Sequence, residues 1–237
     1  MIRIWVPQSL RDLWIILLNG WEESRGLKLE VFLSLDVLTI SKAIKIASEA
    51  YEEGIRHIEV GTPLIKSEGS RAIRIIRDTF PDAIIFADMK TMDTGGLEAK
   101  IAFDNGADIS SVMAVAPEST WISAVKEAEI RGKEILLDLL GVNKMNLRDK
   151  LKRAEEIGIR RVCLHRGIDE GGTADPSIMR ELKKECKILF GAAGGIDEKS
   201  ALNFLGIADF IMVGRAITGS DNIRESARRI LSAVGMR

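Results

Sequence analysis

Cysteine is scarce in this chain of 237 residues, where only Cys163 and Cys186 occur. Their spacing matches neither a zinc knuckle nor a CxxC redox pair, so both read as free thiols in a reducing cytoplasm. Long apolar runs are missing as well. Leu13 to Leu18 is the longest near the start, far short of the roughly 20 residues that span a bilayer, and no convincing cleavage site follows it. A secreted or membrane-inserted product is therefore not expected. Neither sign of charge prevails, with 34 Lys and Arg against 35 Asp and Glu. With aromatic residues at only 5%, the chain offers neither the field nor the stacking surface that nucleic acid requires. Glutamine occurs once against 31 isoleucines, which together with abundant charge points to a thermophilic source.

What the chain does have is a repeat. From about Val31 onward, short apolar runs alternate with longer amphipathic segments eight times. The runs are Val31 to Asp36, His57 to Gly61, Ala83 to Asp88, Asp108 to Met113, Glu134 to Asp138, Arg161 to His165, Ile188 to Ala192 and Asp209 to Val213. Each is short and uniformly apolar, as strands buried on both faces must be. The intervening segments carry apolar residues three and four apart, as at Ala43, Ile46, Ala47 and Ala50, and Gly54, Gly106, Gly132 and Gly158 are placed to end helices. A doubly wound open sheet alternates in the same way, but eight regular units in about 205 residues favour closure into a single (β/α)8 TIM barrel over residues 29–237. Residues 1–28 stand outside the repeat and hold Trp5, Trp14 and Trp21. Leu10, Leu13, Trp14, Leu17, Leu18 and Trp21 share one helical stripe, so an extra N-terminal helix covering a barrel end or a subunit interface is expected. Its polar face is not basic, which disfavours a membrane surface.

In a parallel barrel the chemistry collects where the strands end. His57 opens strand two and belongs to the stabilising end, whereas His165 closes strand six and belongs to the catalytic one. Asp36, Glu59, Asp88 and Lys90 share that face, and Asp93 follows in a loop. Asp88 and Lys90 lie two positions apart, so regular alternation sends both toward the barrel mouth. Any one of these charges has a bland reading as a solvated or ion-paired strand end. Several charges beside an apolar core are costly unless they pair, bind metal or serve chemistry. Glu59 and Asp88 offer two oxygen ligands to Mg2+, which would polarise a carbonyl. His165 is then suited to proton movement, and Lys90 to stabilising developing negative charge. Two glycine-rich turns follow strands seven and eight, Gly191-Ala-Ala-Gly194-Gly195-Ile196 and Gly214-Arg215-Ala216-Ile217. Phosphate sits at those loops in such barrels, so Gly194, Gly195, Gly214 and Arg215 are the candidates to hold it.

The stretches Glu59-Val-Gly-Thr-Pro-Leu-Ile-Lys-Ser-Glu-Gly69 and Ala87-Asp-Met-Lys-Thr-Met-Asp93 resemble hexulose-6-phosphate synthases of the orotidine-monophosphate-decarboxylase-like barrel superfamily. Asp138-Leu-Leu-Gly-Val142, the Gly194-Gly195-Ile196 turn and Val213-Gly-Arg-Ala-Ile-Thr-Gly219 extend the resemblance from about Val31 to the end. Asp88, Lys90 and Asp93 match the superfamily's D-x-K-x-x-D signature. Glu59 stands where the nucleotide decarboxylases carry lysine, which makes that reaction unlike this chain's. The resemblance implies Mg2+ or Mn2+ on Glu59 and Asp88, an enediolate intermediate and proton transfers at His165, which with Asp36, Lys90 and Asp93 completes the candidate catalytic set. It also implies a homodimer in which Asp93 enters the neighbouring subunit's site. The implied substrates are ribulose 5-phosphate and formaldehyde, joined or released in a reversible aldol reaction. Two positions depart from the synthase pattern. His165-Arg-Gly-Ile-Asp-Glu-Gly171 lacks a glutamine usual after that histidine, and Arg215 replaces a common glycine. The keto-gulonate-phosphate decarboxylases carry arginine at the latter place, so a decarboxylase remains the alternative, with a non-catalytic phosphosugar-binding barrel behind it.

Overall fold

The computed structural model describes residues 29–236, so the helix expected over residues 1–28 lies outside the described residues. Eight parallel strands close into a barrel in chain order. They are β1 (Glu30–Leu35), β2 (His57–Val60), β3 (Ile84–Thr91), β4 (Ile109–Met113), β5 (Glu134–Asp138), β6 (Arg161–His165), β7 (Leu189–Ala193) and β8 (Phe210–Val213). Helices α1 (Ile40–Glu52), α2 (Thr62–Glu68), α3 (Arg71–Thr79), α4 (Gly95–Asp104) and α5 (Glu118–Arg131) belong to the first half. The second half carries α6 (Leu147–Ile157), α7 (Pro176–Leu182), α8 (Glu198–Ala201), α9 (Arg215–Thr218) and α10 (Ile223–Ala233). All eight expected strands are present, and the open-sheet alternative falls because β1 pairs with β8 as well as with β2. No helix among the described residues is long and apolar enough to cross a membrane.

The helical pattern read from sequence has a direct physical outcome in α1. Ala43, Ile46, Ala47 and Ala50 are the buried residues of that helix, and the Thr39 hydroxyl accepts the Lys42 backbone N–H at its start. Helices α5 and α6 end on Gly132 (φ 62°) and Gly158 (φ 96°), a left-handed conformation that costs glycine little. The chain thus turns back to each next strand within a few residues.

Outward strand residues such as Leu33, Leu35, Ile58, Val60, Ile85 and Leu137 join the helices in one large core. Inward residues form a second cluster of Phe32, Phe86, Ile109, Leu136, Cys163, Ala193, Phe210 and Met212. Phe32 meets Phe86 and Phe210 edge-on, with ring centroids 6.2 and 5.7 Å apart. This plug separates two polar ends. At the lower end Arg161 is buried, bridges Glu30 (2.8 Å) and Glu134 (2.7 Å), and lies over the Phe210 ring. His57 packs against Phe32 there, where burial lowers its pKa. It stands at the end opposite His165, as the order of residues along β2 and β6 predicts.

Arg161 therefore seals the barrel floor. Replacing it leaves two carboxylates facing each other beside apolar rings, so Arg161→Ala is expected to destabilise the fold by about 3 kcal/mol. Urea unfolding followed by circular dichroism checks this, and far less destabilisation would show that water already screens the cluster.

Candidate active site

At the upper end, the same inward alternation that gives the plug gives a polar ring. Ser34 and Asp36 continue the Phe32 series on β1, Asp88 continues Phe86 on β3, Ser111 continues Ile109, Asp138 continues Leu136, and His165 continues Cys163. Above them opens a cavity of about 1010 Å³, lined among others by Ser34, Asp36, Glu59, Thr62, Lys66, Asp88, Lys90, His165 and Arg215. Its size suits a small polar metabolite with its water.

Lys90 joins the two sides of this ring. Its Nζ lies 2.8 Å from Asp88 Oδ2 and 3.0 Å from Asp138 Oδ2. The expected meeting of Asp88 and Lys90 occurs, but not through a regular strand. The β3–β4 register shifts between Ala87 and Thr91, and Lys90 adopts φ 48°. Its backbone N–H donates to Ser111 Oγ (2.8 Å), which fixes the irregular peptide and leaves the Ser111 proton to reach Asp88 Oδ1 at 2.8 Å. Thr62 Oγ1 donates from the start of α2 to the carbonyl and Oδ2 of the same aspartate, at 2.7 and 2.8 Å. A non-glycine residue held in this backbone region marks a site whose surroundings compel it.

Asp138 was missed by the sequence reading, though it ends β5 as Asp36 and Asp88 end their strands. Its Oδ2 also meets His165 Nδ1 at 2.9 Å, and its Oδ1 accepts the Leu140 N–H at 2.9 Å. Burial raises the Asp138 pKa, but the His165 hydrogen bond, the His165 and Lys90 charges and the Leu140 N–H outweigh it and bring it down to about 2. An ionised Asp138 holds the Nδ1–H tautomer and leaves His165 Nε2 free to take a proton. Lys90 behaves oppositely. Burial alone would lower its pKa, but Asp88 and Asp138 raise it, so it stays a cation.

Glu59 is buried, and desolvation followed by the charges of Asp88 and Asp36 raises its pKa well above the usual carboxyl range. Loss of water, then the Asp88 charge, also raises Asp36. Asp36 stands between Gly61 and Gly214, where a side chain on Gly61 would collide with its carboxylate. Gly194 (φ 96°) and Gly195 (φ 62°) are likewise packed against the carbonyls of Arg166 and Gly172, so these turns have a structural need for glycine besides any phosphate. Arg215 is exposed at the first turn of α9 and lines the cavity. Asp93 is exposed outside the cavity lining, its Oδ1 accepting the Thr94 N–H at 2.7 Å. The structure thus gathers Asp36, Glu59, Asp88, Lys90, His165, Gly194, Gly195, Gly214 and Arg215 around one cavity, and leaves Asp93 out.

Among the described residues, no three His, Cys, Asp or Glu side chains cluster as a metal cage. Glu59 and Asp88 on neighbouring strands fit a hard cation that keeps water and substrate oxygens as its other ligands. A buried carboxylate raised by two like charges is the environment that such a cation would relieve.

The orotidine 5'-phosphate decarboxylase / HUMPS family matches residues 30–230. The chain is 35% identical over 215 residues to a 3-hexulose-6-phosphate synthase of Mycobacterium gastri, covering 88% of this chain and 100% of that one. The 3-hexulose-6-phosphate synthase of Salmonella typhimurium superposes with a TM-score of 0.82 at 30% identity, covering 87% of this chain and 98% of its own. A 3-keto-L-gulonate-6-phosphate decarboxylase of Vibrio cholerae follows at 0.77 and 29% identity, with 88% and 98% covered. By sequence along nearly its whole described length, and by fold, this chain belongs to the orotidine 5'-phosphate decarboxylase / HUMPS family.

Proposed function

We propose that this enzyme is an aldehyde-lyase of the 3-hexulose-6-phosphate synthase type, joining ribulose 5-phosphate to formaldehyde in a reversible aldol condensation. The observation that carries the reading is the Lys90–Asp138–His165 cluster joined to Asp88, with Glu59, Asp88, Lys90 and His165 lining one cavity. His165 Nε2 removes a proton from C1 of the pentulose, giving an enediolate. C1 then attacks the formaldehyde carbon, a C–C bond forms, and the resulting alkoxide takes up a proton. Lys90 stabilises negative charge as it develops on the substrate oxygens, and Asp138 keeps Lys90 and His165 in place. Arg215, with the backbone at Gly194, Gly195 and Gly214, takes the phosphate. Asp36 at the cavity wall is the further acid of the set. Mg2+ or Mn2+ on Glu59 and Asp88 would polarise the sugar carbonyl. The two free cysteines accord with a cytoplasmic setting.

Asp93 enters this reading through a homodimer. It is exposed beside Met92 (49% exposed) and Leu97 (60% exposed), apolar residues suited to an interface with a second copy. In such a dimer Asp93 reaches its neighbour's cavity. Arg215 and the altered loop after His165 favour the second reading, decarboxylation of a 3-keto sugar-acid phosphate, at the same residues.

Incubating the protein with ribulose 5-phosphate, formaldehyde and Mg2+ is expected to give a hexulose phosphate, with activity lost on adding chelator and regained with excess metal. Release of carbon dioxide from 3-keto-L-gulonate 6-phosphate without any formaldehyde exchange would instead select the decarboxylase. Asp138→Asn, which loses the charge that holds both Lys90 and His165, is expected to lower kcat by about 100-fold or more while the circular dichroism spectrum is kept. A variant with wild-type kcat would remove Asp138 from the mechanism. Co-expressed Lys90→Ala and Asp93→Ala chains are expected to recover roughly a quarter of wild-type activity, because a mixed dimer holds one intact site. No recovery despite mixed dimers would put Asp93 outside its neighbour's site.

A further inference from the structure

We infer that Ser34 is the positioning residue that fixes Glu59 for cation binding, an inference that rests on the reading of Glu59 and Asp88 as cation ligands. Ser34 on β1 lies directly opposite Glu59 on β2 in the parallel register. Both side chains are buried, at 5% and 6% exposure, and both line the cavity. The Ser34 hydroxyl donates to Glu59 Oε2.

The two carboxylates of the pair are supported very unequally. Asp88 is gripped from three elements, by Thr62 at the start of α2, by Ser111 on β4 and by the Lys90 ammonium within the bulge of β3. Losing any one contact leaves Asp88 with two others. Among the described residues, Glu59 receives its hydrogen bond from Ser34 alone, and no Lys, Arg or His side chain stands within ion-pair distance of it. A glutamate has one more rotatable bond than an aspartate, so the less supported ligand is also the more mobile one. Ser34 compensates by tying down one carboxylate oxygen. With Ser34 donating to Oε2, Oε1 has no hydrogen-bond partner among the described residues and is the oxygen left to face a cation.

The short reach of serine suits this geometry. Ser34 sits at the rank above Phe32 in the inward series of β1, where a larger apolar residue would fill the cavity floor and an alanine would leave Glu59 without a donor. Partners that orient a metal ligand without touching the metal commonly tune affinity by 10 to 100-fold, and Ser34 occupies that place for Glu59.

Binding of Mn2+ to the full-length protein, read from the free-ion signal in electron paramagnetic resonance, tests this without recourse to turnover. Ser34→Ala is expected to weaken Mn2+ affinity by about 10-fold or more, while its thermal unfolding in the absence of metal stays close to wild type. Glu59→Gln is expected to weaken it further. If Ser34→Ala fails to fold, Ser34→Cys keeps the size with a much weaker donor and is expected to show a loss in the same direction. A serine variant that binds Mn2+ as tightly as wild type overturns the inference while leaving the ligand reading intact. Wild-type protein that binds no Mn2+, or Glu59→Gln that binds it undiminished, overturns the ligand reading and this inference with it.

Discussion

Closure of β8 onto β1 is the constraint on which everything else depends, because it gives every second strand residue no place to go but the barrel interior. The register Glu30 to Phe210, Val31 to Ile211, Phe32 to Met212 and Leu33 to Val213 completes the ring of hydrogen bonds and removes both sheet edges. Inward residues must then stack in ranks, and each rank must satisfy itself. The middle rank does so with aromatic and aliphatic volume around Phe32, Phe86 and Phe210. The lowest rank does so by pairing Arg161 with two glutamates. The highest rank has more carboxylates than nearby cations, and that imbalance is where the chemistry arises.

The imbalance has direct electrostatic consequences. Lys90 and His165 are both spent on Asp138, and Lys90 also serves Asp88. Glu59 and Asp36 are left with raised pKa values, one at the floor of the cavity and one at its wall. A site built only for stability would pair these charges as the barrel floor pairs Glu30, Glu134 and Arg161. Leaving two carboxylates strained above an apolar plug is costly, and such cost is characteristic of places that await a ligand.

Much of this was legible in the sequence because strands buried on both faces read as short uniform apolar runs, while the helices between them read as amphipathic stripes. Eight apolar runs with helical stripes between them specify the barrel, and the strand-end rule locates Asp36, Glu59, Asp88 and His165 at one mouth. The same rule applied to Glu134-Ile-Leu-Leu-Asp138 would have brought Asp138 into the site, since it ends β5 just as Asp88 lies near the end of β3. Lys90 was reached by assuming a regular strand, whereas β3 is bulged there and Lys90 takes a left-handed backbone. Spacing alone does not reveal a bulge. The hydroxyls of Ser34, Thr62 and Ser111 were invisible for a different reason. A serine in a strand is unremarkable until its partner across the sheet is known.

The glycines show how a single residue type can be placed correctly for an incomplete reason. Gly194, Gly195 and Gly214 follow β7 and β8, where backbone N–H groups can meet phosphate. Yet Gly194 and Gly195 also let the turn after β7 lie against the Arg166 and Gly172 carbonyls, in the loop that follows His165. Gly214 differs, since a side chain there would meet Ser34 and Asp36 only at ordinary contact distances of 3.6 to 3.8 Å. The turn after β7 and the loop after β6 are therefore packed onto one another rather than merely adjacent. A change in the loop after His165, where this chain departs from the synthase pattern, acts directly on the geometry of the turn proposed to hold phosphate. Because the two loops share this packing, substitutions in one are expected to require compensation in the other.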